Sequence, residues 1–217
     1  MKFLSRKQLR KREKTLLASL LLSAWGPLAT FIAVIMSNST TQLADFIRRS
    51  VELIALFTSW WVFRQLQRKE NYSPEKKAKM EKAAGTGIAA ALGFSGIIML
   101  ALALTRLPGF EPGGNVYLGL AIASLGLVTN IWFWQRYAWM TREHHDPIID
   151  AQRRLYRAKV LVDLSVIVAL SSVAFIPWHP AARYIDIFGS AVVAVYLLWS
   201  SIRTFQSQYP VQNWKGI

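Results

Sequence analysis

Four ionisable residues stand close together inside an otherwise apolar stretch: Asp45, Arg48, Arg49 and Glu52, at spacings of three and four. On a helix Asp45 can meet Arg48 or Arg49, and Arg48 can meet Glu52, on roughly one face. Two acids and two bases form a set that is neutral as a unit. Ionisable groups within a membrane span are functional candidates by default, because an unpaired one is expensive there. Two readings follow, an internal salt-bridge ladder near the outer helix end or part of a permeation path. A second group, Tyr156, Arg157, Lys159 and Asp163, opens a later apolar block. Lys159 and Asp163 are again four apart, although a lysine at a span end commonly carries its ammonium to the headgroups. The chain's one His/carboxylate cluster is His144, His145, Asp146 and Asp150. Imidazole and carboxylate are zinc ligands, but adjacent histidines in a loop are more often solvated than metal-bound. There is no Gly-rich phosphate loop, Ser/His/Asp grouping or HExxH motif, so the sequence gives no support to an enzyme.

The elements that position these groups emerge from composition. The chain has 217 residues, no cysteine, 53% apolar residues, and 26 Lys+Arg against 12 Asp+Glu for a formal charge of +14. The missing thiols exclude a disulfide scaffold, and nine Trp and eleven Phe exclude disorder. The apolar residues come in blocks. Thr15 to Met36, Ala83 to Thr105, Pro112 to Gln135 and Ile187 to Ile202 carry no charge, and Val160 to Trp178 carries only Asp163. Each is of the order of the ~20 apolar residues that cross a bilayer core as helix. The sixth candidate, Thr41 to Phe63, contains the four charges, each costing roughly 2.5–3.5 kcal/mol at a span centre.

Charge distribution admits that sixth span. Residues 1–14 hold seven Lys/Arg, residues 64–82 seven, residues 136–159 six, and Arg203 and Lys215 bring one side to 22. Without the second crossing the 64–82 run would lie on the wrong face. The positive-inside rule therefore predicts an all-α membrane protein of six transmembrane helices with both termini cytoplasmic. This topology explains the basic charge without nucleic acid, and the partner it implies is the lipid bilayer. The expected organisation is a basic segment over 1–14, a six-helix domain over 15–204 and a short tail over 205–217 without a soluble domain. The first block, too long for a signal-peptide core and followed by further spans, reads as an uncleaved anchor. Asn130 lies in the fourth span, where an amide can bond across helices. Small residues form two stripes in the third, Ala83, Gly87, Ala91, Ser95 and Gly85, Ala89, Gly93, which permit close helix packing.

These residues, in this order, resemble the transmembrane domain of the cation diffusion facilitator (cation efflux) family over about residues 15–204. The stretch Leu43-Ala-Asp-Phe-Ile-Arg-Arg-Ser-Val-Glu-Leu53 is similar to the family's second-helix pattern LADxxHxxxDxL. Glu81 before the third span, Asn130 in the fourth, Asp146-Pro147 ahead of the fifth, and Tyr184-Ile-Asp-Ile-Phe-Gly189 opening the sixth add to it. The resemblance implies a six-span protein, commonly dimeric, that exchanges a divalent cation such as zinc for protons, in an inner (cytoplasmic) membrane if bacterial. The transport-site equivalents are then Asp45, Arg48, Glu52, Lys159 and Asp163.

The departures bear on function. The family's second helix supplies a His or Asp with an Asp four residues on, and its fifth supplies HxxxD; here the second-helix pair is Arg48 and Glu52. Counting forward from Pro147 makes the fifth-helix pair Leu155 and Lys159, whereas counting back from Asp186 makes it Lys159 and Asp163. In either register at least two of four ligand positions lack a metal-binding group, which argues against zinc transport and against any bound metal cofactor. Arg48 and Lys159 supply two positive charges where the family holds a dication. Two function classes follow, a secondary cation transporter with a rebuilt site, and a non-transporting structural or assembly subunit of a larger membrane complex.

Overall fold

The computed structural model describes residues 6–37, 40–68, 72–105, 116–144, 146–175 and 180–208. They form six helices: α1 Arg6–Ser37, α2 Thr40–Arg68, α3 Pro74–Thr105, α4 Val116–Glu143, α5 Pro147–Phe175 and α6 Pro180–Gln208. At 1.5 Å per residue each is about 40–50 Å long, so every helix outruns a ~30 Å hydrocarbon core. Stretches over Arg6–Ile32, Pro74–Leu104 and Ile187–Gln208 are apolar and long enough to cross a membrane. Of the others, α2 and α5 carry the interior charges, and α4 confines its charges, Arg136, Arg142 and Glu143, to its last turns.

The surface of the bundle is that of a protein solvated by hydrocarbon. Trp25, Leu125 and Phe175 are 71%, 72% and 83% exposed, while Arg48, Glu52 and Gln152 are buried. Such large apolar exposure costs nothing against lipid tails but much against water.

Chain direction alternates. Arg12 near the start of α1 reaches the end of α4, Glu13 of α1 pairs with Arg64 near the end of α2, and Gly85 of α3 lies against Gln208 at the end of α6. One end of the bundle, here called the basic end, therefore gathers the starts of α1, α3 and α5 and the ends of α2, α4 and α6. The 64–82 segment, long enough to suggest a surface helix of its own, instead comprises the end of α2 and the start of α3 around a short connection. Ser73 explains the restart: its hydroxyl accepts the amide of Lys76 at 3.3 Å and its carbonyl that of Lys77 at 3.0 Å. Pro74 follows at the first helical position and Glu75 in the first turn, both favourable to a helix N-terminus.

Small residues set the tightest contact, between α3 and α6. A Cβ at Gly93 would stand 2.8 Å from Ser201 Oγ, and one at Gly85 would overlap the Gln208 amide. Ser201 Oγ in turn donates to the Ala89 carbonyl at 2.7 Å. Gly87, on the other stripe, has open space beside it. The core between helices is Leu56, Ile88, Leu92, Phe133, Ile149 and Leu155 with Tyr137 and Tyr156.

At the basic end Arg12, 2% exposed, ties three elements together. Its Nη2 donates to the carbonyls of Met140 at 2.8 Å and His144 at 3.1 Å, and its Nη1 stands 3.5 Å from Asp146 Oδ2. The other oxygen of Asp146 caps α5 by accepting from the amides of Ile148 and Ile149 at 3.0 and 3.3 Å. One guanidinium thus closes the end of α4 and steadies the cap of α5. Replacing it strands two carbonyls and a carboxylate. Arg12→Ala is expected to lower stability by about 2–4 kcal/mol. Glu13→Ala, which breaks only the half-exposed pair with Arg64, should cost about 0.5 kcal/mol or less. Thermal unfolding of the two variants in detergent checks the difference; equal loss would contradict it.

Candidate functional site

The interior charges of α2 and α5 meet. Glu52 is the centre. Its Oε1 accepts from Arg48 Nη1 at 3.4 Å, one turn back on α2, and from Ser95 Oγ of α3 at 3.0 Å. Its Oε2 lies 3.5 Å from Lys159 Nζ of α5. The side chains of Arg48, Glu52 and Lys159 are 7%, 9% and 13% exposed, so little water screens these contacts. Each bond follows from a local spacing. Arg48 and Glu52 are an i, i+4 pair; Ser95 belongs to the small-residue stripe that lets α3 approach α2.

Lys159 does not snorkel. Its ammonium turns into the bundle, where it also donates to Ser23 Oγ of α1 at 3.4 Å and lies 5.1 Å from the centre of the Tyr156 ring. A carboxylate within reach outweighs the headgroup layer, because it offers the cation a partner that the same burial strengthens. Lys159 therefore meets Glu52 across the bundle rather than pairing with Asp163 four residues on. Leu155, the alternative in the other register, is packed in the apolar core. The fifth-helix pair at the site is Lys159 and Asp163.

Asp163 takes a second set of partners. Its Oδ2 accepts from Asn130 Nδ2 of α4 at 2.7 Å, and its carboxylate fills the space beside Gly126, where a Cβ would stand 3.3 Å away. Arg49 packs over Gly26 of α1, whose Cβ would come within 3.2 Å of Nη1. Asp45 belongs to α2 by its backbone, but its side chain lies outside the described residues, as does that of Asp186.

A polar seam runs from this site toward the basic end between α1 and the α4–α5 pair. Ser23 Oγ and Tyr156 OH are 3.0 Å apart, Tyr156 OH donates to the Ser19 carbonyl at 3.2 Å, and Ser19 Oγ and Tyr137 OH are 2.7 Å apart. Pro27 within α1 has no N–H to give the carbonyl of Ser23 one turn earlier, which leaves that turn suited to side-chain bonding. Sequence reasoning passed over Ser19, Ser23 and Tyr137, and it read Ser95 only as a small packing residue and Tyr156 only as opening the fifth span. The available signal was Ser19 and Ser23 at i, i+4 in an apolar span, with Tyr156 three residues before Lys159.

The loop cluster is divided among other tasks. Asp146 caps α5 and faces Arg12, and Asp150 pairs with Arg153 at 2.7 Å and Arg154 at 3.1 Å. The carbonyl of His144 serves Arg12, and His145 lies outside the described residues. Among the described residues no group of three or more His, Cys, Asp or Glu is placed to hold a metal ion.

A bundle of alternating helices, apolar outside and charged at mid-depth between its second and fifth members, defines a polytopic membrane domain. The chain matches the model of the cation efflux transmembrane domain over residues 16–211, and it belongs to that family of membrane transporters. No curated protein matches the chain.

Arg48 and Lys159 set the electrostatics that a dication would meet at Glu52. At roughly 5 Å a fixed cation repels a divalent ion by about 7 kcal/mol with an effective dielectric of about 20, and here Arg48 and Lys159 both flank Glu52. Arg48 cannot relieve this by losing its proton. The asymmetry makes a stability prediction. Glu52→Gln removes the carboxylate that joins Arg48 to Lys159 and should cost about 3–5 kcal/mol. Lys159→Met leaves a neutral Arg48–Glu52 pair and should cost less. Adding Lys159→Met to Glu52→Gln should recover part of the loss, as read by thermal unfolding of the single and double variants; additive losses would contradict the coupling.

Proposed function

We propose that this family member carries no zinc or other divalent cation and serves as a pseudo-transporter, a structural or assembly subunit of a larger membrane complex or homodimer. The observation that carries the reading is Glu52, held by Arg48 at 3.4 Å and Lys159 at 3.5 Å where the family resemblance puts metal ligands. The protein's own cations take the place of the cargo. They join α2 to α5, and through Ser95 and Ser23 to α3 and α1, which favours one packed state of the bundle. A transporter needs two states of comparable energy, and a site satisfied by covalently attached charges offers no ligand-dependent term to shift between them. The concentration of basic residues at one end supports a topology with both termini cytoplasmic, in a bacterial inner membrane.

A second reading, proton-linked secondary transport with Glu52, Asp163 and Asp45 as carriers, draws on Asp163. That carboxylate is retained within the bundle and bonds to the neutral Asn130 amide at 2.7 Å. Proteoliposome flux separates the two. With Zn²⁺, Co²⁺ or H⁺ gradients the expected flux equals that of empty vesicles, and other membrane subunits should co-purify with the chain. Cation flux that disappears in Glu52→Ala would overturn the first reading, and proton flux that disappears in Asp163→Asn would favour the second.

A further inference from the structure

The cations that begin α1 divide by direction. At about 100° per residue, Arg6, Lys7, Arg10, Lys11 and Lys14 fall within an arc of about 140°, while Arg12 points to the opposite side. The structure bears this out in burial, with Arg12 turned inward and the five others exposed. These five side chains line an open groove of about 520 Å³. None of them has a carboxylate partner among the described residues, whereas Glu13, the acid of this segment, is engaged by Arg64 of α2. Lys11 of this groove also meets Trp139 of α4, with Nζ 4.5 Å from the ring centre, and Arg136 Cζ stands 5.4 Å from the same ring.

We propose that this face of α1, with Trp139 at its edge, binds the phosphate headgroups of anionic phospholipid. Depth chooses the occupant. The uncharged block of the same helix begins at Thr15, and Leu21, Leu22 and Trp25 are exposed and apolar, so the hydrocarbon boundary lies between Lys14 and a point about 10 Å further along α1. Lys14 and Lys11 accordingly stand nearest the headgroup layer, with Arg10, Lys7 and Arg6 successively further to its aqueous side and a tryptophan where interfacial aromatics collect. A phosphate there meets several unpaired cations at once, while its acyl chains continue along the apolar face of α1. A zwitterionic headgroup brings its own ammonium into the same groove and loses that advantage.

The test uses the full-length chain purified in detergent, with lipid binding measured by native mass spectrometry. Wild type is expected to retain phosphatidylglycerol at least tenfold more tightly than phosphatidylcholine, with the preference falling as salt rises. Changing Arg6, Lys7, Arg10, Lys11 and Lys14 together to Gln should abolish the preference. Changing Lys76, Lys77 and Lys79 of α3 to Gln should alter it by less than twofold, which separates this groove from basic charge in general. Because the altered side chains are exposed, apart from the partly buried Lys77, the thermal midpoint without added lipid should stay the same and reports that both variants fold. Inorganic phosphate at equal concentration should not displace the lipid. Equal retention of the two lipids, an undiminished preference in the five-residue variant, or tighter capture of a single-stranded RNA oligomer than of phosphatidylglycerol would overturn the proposal.

Discussion

The bundle depends on how one buried carboxylate is neutralised. Glu52 sits where hydration is largely lost, and an ionised group there is tolerated only with counter-charge and hydrogen bonds at hand. The chain provides both from its own length: a guanidinium one turn away, an ammonium from α5 and a hydroxyl from α3. In a cation carrier the counter-charge arrives with the cargo and leaves with it. On the function proposed above, it is covalently attached and stays with the chain. That difference is chemical and follows from Arg48 and Lys159 alone.

Permanence spreads outward through the seam. Lys159 is held by Ser23, Ser23 by Tyr156, and the Ser19–Tyr137 bond continues the line of hydroxyls toward Arg12 and the α4–α5 turn. Each bond lies between α1 and the α4–α5 pair, where long polar side chains replace close backbone packing. Between α3 and α6 the opposite device operates, with Gly85 and Gly93 admitting the neighbouring helix. The bundle thus has one close-packed apolar seam and one hydrogen-bonded seam, and the interior ion pairs anchor the second.

How much of this was legible in the sequence depends on the range of each interaction. Arg48 with Glu52 is a spacing of four on one helix and needs no knowledge of neighbours. The six helices were legible because bilayer thickness imposes length on apolar blocks, and the family pattern around Ala44-Asp45 ordered them. Lys159 was named through the family resemblance, but its direction stayed open, because it depends on α5 lying beside α2, and a span-end lysine alone points toward headgroups. The fifth-helix register was open for the same reason: Leu155 and Lys159 differ only once α5 is rotated against Glu52. Arg12 was hidden in a run of like residues, where seven cations over residues 1–14 served the topology argument equally well. Among the described residues the run holds one cation that ties the bundle and five that face outward, and helical phase divides them.

The account's central claim is that Arg48 and Lys159 occupy the place of a divalent cation. Isothermal titration of the purified protein with zinc tests it when wild type is compared with the double variant Arg48→His, Lys159→His. That variant presents two imidazoles together with Glu52 and Asp163, a donor set zinc accepts. The account predicts no zinc binding by the wild type and micromolar or tighter binding by the double variant. Micromolar zinc binding by the wild type, lost on Glu52→Ala, would contradict it.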